Sequence, residues 1–323
     1  MDVMTHNPVR QGGWTPLRLV DGDRAMRRWF IASLVANMLI IVTGAIVRLT
    51  GSGLGCPTWP ECYDGSYTPH PESGMRGIIE FGNRLITFVL IIVALGAFIS
   101  TWRNRGAWSK LWWLTLGIGL GIPFQGIIGG ITVLMDLNPW VVALHLLLSV
   151  ALIVLATWAV VIARAVPADV VAPRVRALVI VTFALAMLAI WIGTIVTGAG
   201  PHAGDAESPR NGLNILMIAK THSASAWLLT FSTIACVVVL RAGRHVRATR
   251  AAWLLLGSVV LQGAIGYIQY FTGLPIGVVI LHLIGLTIVT VAAAWLLFAT
   301  RSRTVGPSSA SAPRQDRRSA QTH

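Results

Sequence analysis

Glu80, Asn83 and Arg84 lie within one and a half helical turns of one another in the stretch IIEFGNRL, where an apolar run begins that continues to Trp102. A carboxylate and a guanidinium four residues apart on a helix neutralise each other. The same groups could also handle protons or hold an anion. Three histidines, His145, His222 and His282, fall inside other apolar stretches, while the remaining five of the eight fall in polar segments. They follow the helix-start signals Pro139, Asn214 and Pro275 by six, eight and seven residues. At 1.5 Å per residue this places all three roughly 10 Å below one surface, and Asn83, six residues after Gly77, shares that level. A lone histidine in an apolar helix can simply hydrogen-bond to a neighbouring helix. Several at one level, where polar groups are costly, point to a function. Zinc would want further Cys, His or carboxylate ligands nearby, which the second half does not offer beside His222 and His282. Haem iron accepts two axial nitrogens and brings its own equatorial four.

The elements that must hold these residues are membrane helices. Of 323 residues, 55% are hydrophobic and 11% charged, and the mean hydropathy is +0.71, far outside the range of a soluble domain. Apolar stretches fall at about 29–47, 77–102, 111–135, 139–163, 177–199, 213–240 (interrupted by Lys220) and 251–300, the last divided by the turn FTGLPIG. Each is long enough to span, which predicts an all-α membrane protein of eight transmembrane helices. The net charge of +13 does not indicate nucleic acid. Twenty of the 25 Lys and Arg lie in the N-terminal arm, the 102–110, 164–176 and 241–250 loops and the C-terminal tail. Those segments share one side if there are eight helices, so the positive-inside rule places both termini in the cytoplasm. The first apolar run starts at Trp29 behind five arginines and is long enough to span, so no cleavable signal is expected.

The chain repeats itself. QGIIGGITVLMDLNPWVVALHLLL (125–148) matches QGAIGYIQYFTGLPIGVVILHLIG (262–285) at a constant offset of 137, with Gln, Gly and His in register. GAIVRLTGSG from Gly44 likewise parallels GTIVTGAGPH from Gly193. The expected organisation is an arm (1–28), a four-helix bundle (29–164), a linker (165–174), a second four-helix bundle (175–300) and a disordered tail (301–323), with the bundles pseudo-symmetric. In the repeat Asn83 aligns with His222, so the second half pairs two histidines and the first pairs Asn83 with His145.

Other polar groups leave alternatives open. Cys56 and Cys62 in GLGCPTWPEC fit a structural disulfide, a redox-active pair or two free thiols. Cys236 reads as apolar filler. Arg48, Arg84 and Lys220 lie near the histidine level and either snorkel to the interface or hold anions. Gln125 and Gln262 read as interhelical hydrogen-bonding groups, and the helix-three glycines, Gly129 and Gly130 among them, as close packing or as room for a flat macrocycle.

GAIVRLTGSGLGCPTWPEC, IIEFGNR, the two QGxIGxI…LH segments and KTHSASA together resemble the bacterial haem A synthases over 29–300. The resemblance implies a multi-pass protein of the bacterial cell membrane. It also implies a prosthetic haem b between His222 and His282, with haem O as the substrate of the first bundle. There a ring methyl is oxidised to a formyl group by successive hydroxylations, with Glu80 the essential acid. Cys56 and Cys62 correspond to a pair that forms a disulfide in the family, and Arg48, Arg84 and Lys220 become candidate propionate partners. A haem O synthase, a terminal oxidase and an electron donor are the implied partners; the oligomeric state is left open. The family commonly carries Glu-x-x-His in helix two, whereas this chain has Glu80-Phe81-Gly82-Asn83. A carboxamide is a poor iron ligand, so His145 alone is expected to ligate the substrate iron, with Asn83 at most hydrogen-bonding on the other face. Competing readings are a b-type cytochrome that relays electrons, for example from quinol, and a duplicated small-molecule transporter. Unequal histidine content of the halves weighs against the first, and the scarcity of interior acids against the second.

Overall fold

The computed structural model describes residues 22–103 and 109–302. The N-terminal arm through residue 21, residues 104–108 and the tail from 303 lie outside these, together with the expectations placed on them. Eight long helices follow in order: α1 Gly22–Leu49, α2 Gly74–Arg103 (after a 3-10 turn, Pro71–Ser73), α3 Ser109–Leu134, α4 Pro139–Ala163, α5 Pro173–Ala199, α6 Ile215–Ala242, α7 Val246–Phe271 and α8 Ile276–Phe298. All eight are long and apolar enough to cross a membrane, and the chain is a multi-pass membrane protein.

The helices outrun the apolar stretches that announce them. α1 takes in Asp23, Arg24, Arg27 and Arg28 ahead of Trp29, and α7 takes in Arg247 and Arg250. At 1.5 Å per residue, helices of 28 and 30 residues span about 42–45 Å against roughly 30 Å of hydrocarbon. Their ends therefore leave the lipid while the backbone stays helical. α4 and α6 start at side-chain caps: Asn138 accepts from the Trp140 N–H and Asn214 from the Met217 N–H, each satisfying a free N–H of the first turn. Large apolar residues such as Phe88, Trp113 and Leu254 stay mostly exposed around the perimeter, which suits lipid rather than water.

α1 packs on α2 and α4, and α3 on α2 and α4; α5 packs on α6 and α8, and α7 on α6 and α8. These two rings of four touch through α4 and α1 against α8 and through α4 against α5. Ile41, Val150, Ile153 and Ile190 form the apolar seam between them. The buried core is unevenly placed along the helices. Buried residues of α4 begin at Val150, those of α6 at Ser225 and those of α8 at Thr287. The histidines at 145, 222 and 282 thus precede the tightly packed stretch in each helix, in half-buried or exposed surroundings.

The segment between the rings is docked rather than loose. Asp169–Val171 (β1) pairs in parallel with Thr300–Ser302 (β2), so Arg301 and Ser302, assigned to the tail from sequence, belong to a strand. Asp169 Oδ2 accepts from the Ala248 N–H at 2.9 Å in the first turn of α7, a favourable place for a carboxylate. Arg176 Nη1 donates to Thr300 Oγ1 at 2.6 Å. This linker end lies opposite the end carrying the two cysteines.

Candidate functional site

The loop between α1 and α2 folds back over α2. Cys56 and Cys62 form a disulfide and are fully buried, so of the three thiol states left open by the sequence the two free thiols are set aside. Glu80, only 5% exposed, receives the Cys56 N–H on Oε2 at 2.7 Å and Arg84 Nη2 on Oε1 at 2.7 Å. Arg84 also donates to the carbonyls of Cys56, Thr58 and Glu61 at 3.0, 3.0 and 3.1 Å. Ion pairing between Glu80 and Arg84 is therefore real, yet it is half of the arrangement. The pair is the anchor of the disulfide loop, and the donors of Arg84 are turned to that loop. From there Trp59 reaches α3: a Cβ on Gly130 would stand 2.3 Å from its indole. The loop meets its counterpart between α5 and α6 where the Gly53 N–H donates to the Gly204 carbonyl at 2.9 Å.

Beneath the loops lie the histidines. The rings of His222 and His282 have centroids 6.3 Å apart and cross at 71°, although α6 and α8 sit at opposite corners of their ring. His222 Nδ1 lies 3.0 Å from the Ala189 carbonyl. A carbonyl can only accept, so Nδ1 carries the proton and the Nε2 lone pair is left for another partner. His282 Nδ1 and His145 Nδ1 are buried without a hydrogen-bond partner. Both histidines are held through their backbones instead: Gln125 Nε2 donates to the His145 carbonyl at 3.0 Å and Gln262 Nε2 to the His282 carbonyl at 2.7 Å. The two glutamines are the interhelical hydrogen-bonding groups expected of them.

Each imidazole also lies against a glycine. A Cβ on Gly129, Gly193 or Gly266 would stand 3.3, 3.1 or 3.3 Å from Cε1 of His145, His222 or His282. The Gly193 and Gly266 contacts were not foreseen; the signal was present as glycines at matching places in the repeat. Asn83, on α2, has its Oδ1 buried and unpartnered.

A metal–imidazole bond is about 2 Å, and with about 1 Å more to each ring centre, two imidazoles on one iron have centroids about 6 Å apart. The separation of His222 and His282 fits that. Among the described residues no three His, Cys, Asp or Glu come together as a metal site, so a metal held here must bring other ligands with it, as haem iron does. The remaining cations divide. Arg48 Nη2 donates to the Thr197 carbonyl at 2.6 Å while its Nε is buried and unpartnered. It lines a small pocket between the rings with Val142, Leu146 and Thr194. Lys220 is exposed.

The chain matches the family described as "Cytochrome oxidase assembly protein" (COX15-CtaA) over residues 27–294. A haem A synthase of Lysinibacillus sphaericus is 37% identical over 120 residues, 36% of this chain and 38% of that protein. One of Shewanella oneidensis is 33% identical over 181 residues, 51% of this chain and 53% of that protein. One of Rhizorhabdus wittichii is 25% identical over 308 residues, 80% of this chain and 89% of that protein. The matched part thus spans about half or less of the first two.

Proposed function

Since the chain belongs to the COX15-CtaA family of cytochrome oxidase assembly proteins, we propose that it is a haem A synthase, a membrane oxidoreductase that converts haem O to haem A. The relatives named above support that reading from the sequence side. The observation that carries it is the 6.3 Å spacing of the His222 and His282 rings. Those two residues would be the axial ligands of a prosthetic haem b, which when bound supplies one-electron chemistry. Ala189 orients His222, and Gln262 fixes the backbone of His282; such supporting contacts set ligand direction.

The α1–α4 ring is the proposed substrate site, with His145 the ligand to haem O. Taking a methyl to a formyl group removes four electrons in two hydroxylations of two electrons each; the second leaves a geminal diol that loses water. Protons are exchanged at each hydroxylation, and the Glu80 carboxylate is the group at that end of the ring able to exchange them. Its carboxylate is tied to the Cys56 amide and to Arg84, so the disulfide loop sets its position. Arg48, whose buried Nε has no protein partner, is the residue best placed for a propionate. Arg84 is assigned to the loop, and exposed Lys220 to the lipid boundary.

Supplying haem O to the purified protein and identifying the extracted haems tests the assignment. Formation of haem A supports it. Haem b alone, with haem O unchanged, would make the chain an electron-relay cytochrome, and a protein without porphyrin would favour the transporter reading.

A further inference from the structure

Gly44 and Gly193 hold the same place in the repeated segments GAIVRLTGSG and GTIVTGAGPH, and Asn83 and His222 hold the same place on the helix that follows. A Cβ on Gly193 would stand 3.1 Å from the His222 ring, whereas a Cβ on Gly44 would meet nothing within 4 Å. The difference has a simple source. The imidazole on α6 fills the space beside its glycine, and a carboxamide is too short to do the same beside Gly44. α1 and α2 pack directly on one another, as α5 and α6 do, so the repeat sets Gly44 opposite Asn83 across that contact. Asn83 Oδ1 is buried and has no partner, an arrangement that is costly unless something completes it.

Taking the α1–α4 ring as the haem O site, we propose that the space between Gly44 and Asn83 binds one small neutral ligand, a diatomic gas or a single imidazole. It lies on the face of the substrate iron away from His145. The Asn83 carboxamide is the positioning residue of this site: its Oδ1 accepts from an imidazole N–H, and its Nδ2 donates to a diatomic ligand with one end on the metal. The α5–α8 ring has no such site, because His222 occupies the matching place. The two halves thus differ by one side chain in the property that matters for small-molecule access: one iron is closed on both faces, the other on one.

The test reads ligand binding rather than turnover. Full-length protein in detergent is loaded with haem b as the probe, reduced, and titrated with carbon monoxide; the oxidised form is titrated with imidazole. One of two haems should bind each probe, and His145→Ala should lose that haem while leaving the other. Asn83→His should bring a low-spin, six-coordinate spectrum and abolish carbon monoxide binding. Gly44→Ile fills the space and should weaken both probes at least about tenfold. If Gly44→Ile does not fold, Gly44→Ala is the substitute: its methyl meets no neighbour within 4 Å, so it should keep carbon monoxide binding and weaken imidazole. The proposal is overturned by two low-spin haems inert to carbon monoxide in the unaltered protein, or by binding that neither Asn83→His nor the Gly44 variants move. Haem A formation alongside inert haems would overturn the ligand site and leave the enzyme reading standing. A protein that takes up no haem would remove both.

Discussion

Gly193→Ala isolates the support beneath one axial ligand. The new methyl would lie 3.1 Å from His222 Cε1 and 3.5 Å from Nδ1. Carbon atoms rest about 3.5–4.0 Å apart, so the ring must retreat by about half an ångström. It is held from the side by its bond to the Ala189 carbonyl at 3.0 Å, one turn before Gly193 on the same helix. The retreat stretches that bond toward the limit at which it counts, a loss of about 1 kcal/mol. It also moves Nε2 by about the 0.5 Å that a preorganised site tolerates. Crowding and the lost bond together come to about 1–3 kcal/mol, or haem b held roughly 5- to 150-fold less tightly. The assay is competition for haem between the protein and a soluble haem-binding acceptor, followed by absorbance. Gly257→Ala in α7 serves as control, since its Cβ would meet nothing within 4 Å and alanine only improves helix propensity. Equal haem retention in Gly193→Ala and the control would refute the placement of His222 against Gly193 as a support for the ligand.

Three further outcomes are expected. Glu80→Gln keeps an oxygen for the Cys56 amide but loses the charge opposite Arg84; it should fold, hold haem b and form haem A about 100-fold more slowly or worse, and an undiminished rate would remove Glu80 from the chemistry. Arg84→Gln leaves three loop carbonyls and Glu80 short of a donor. It should destabilise the protein by about 3 kcal/mol, the lower end for a broken pair because the Arg84 side chain is 21% exposed, and protease should cut the 50–73 loop sooner. Haem b lost with the loop still resistant would instead place Arg84 on a propionate. Alkylation of the unreduced, denatured protein should leave Cys56 and Cys62 unlabelled and label Cys236, and two more labels should appear after reduction; three labels without reduction would contradict the disulfide.

Much of this was legible in the sequence because hydropathy and duplication report what lipid and repetition demand. Uncharged runs located all eight helices, since a chain cannot cross hydrocarbon any other way without a closed barrel. Matching Gln, Gly and His at one offset located His145 and His282 and their glutamines. Helix ends were less legible, because Arg24 and Arg250 are helical beyond the lipid and hydropathy is blind there. Nor could spacing show that Glu80 would reach the amide of Cys56, 24 residues earlier, or that Arg84 would turn to loop carbonyls, since both depend on how an irregular loop folds back. The pairing of Asp169–Val171 with Thr300–Ser302 joins segments too short and too far apart to announce themselves. The glycine beside each imidazole was present in the letters, but a glycine motif in a membrane helix signals close packing of any kind, and only the structure says against what.

The central claim is that His222 and His282 share one iron. Electron paramagnetic resonance and absorption spectra of the oxidised, purified chain test it most directly. The account predicts a low-spin haem b with two imidazole ligands that disappears in His222→Ala and again in His282→Ala. An unchanged low-spin signal in both variants would contradict it.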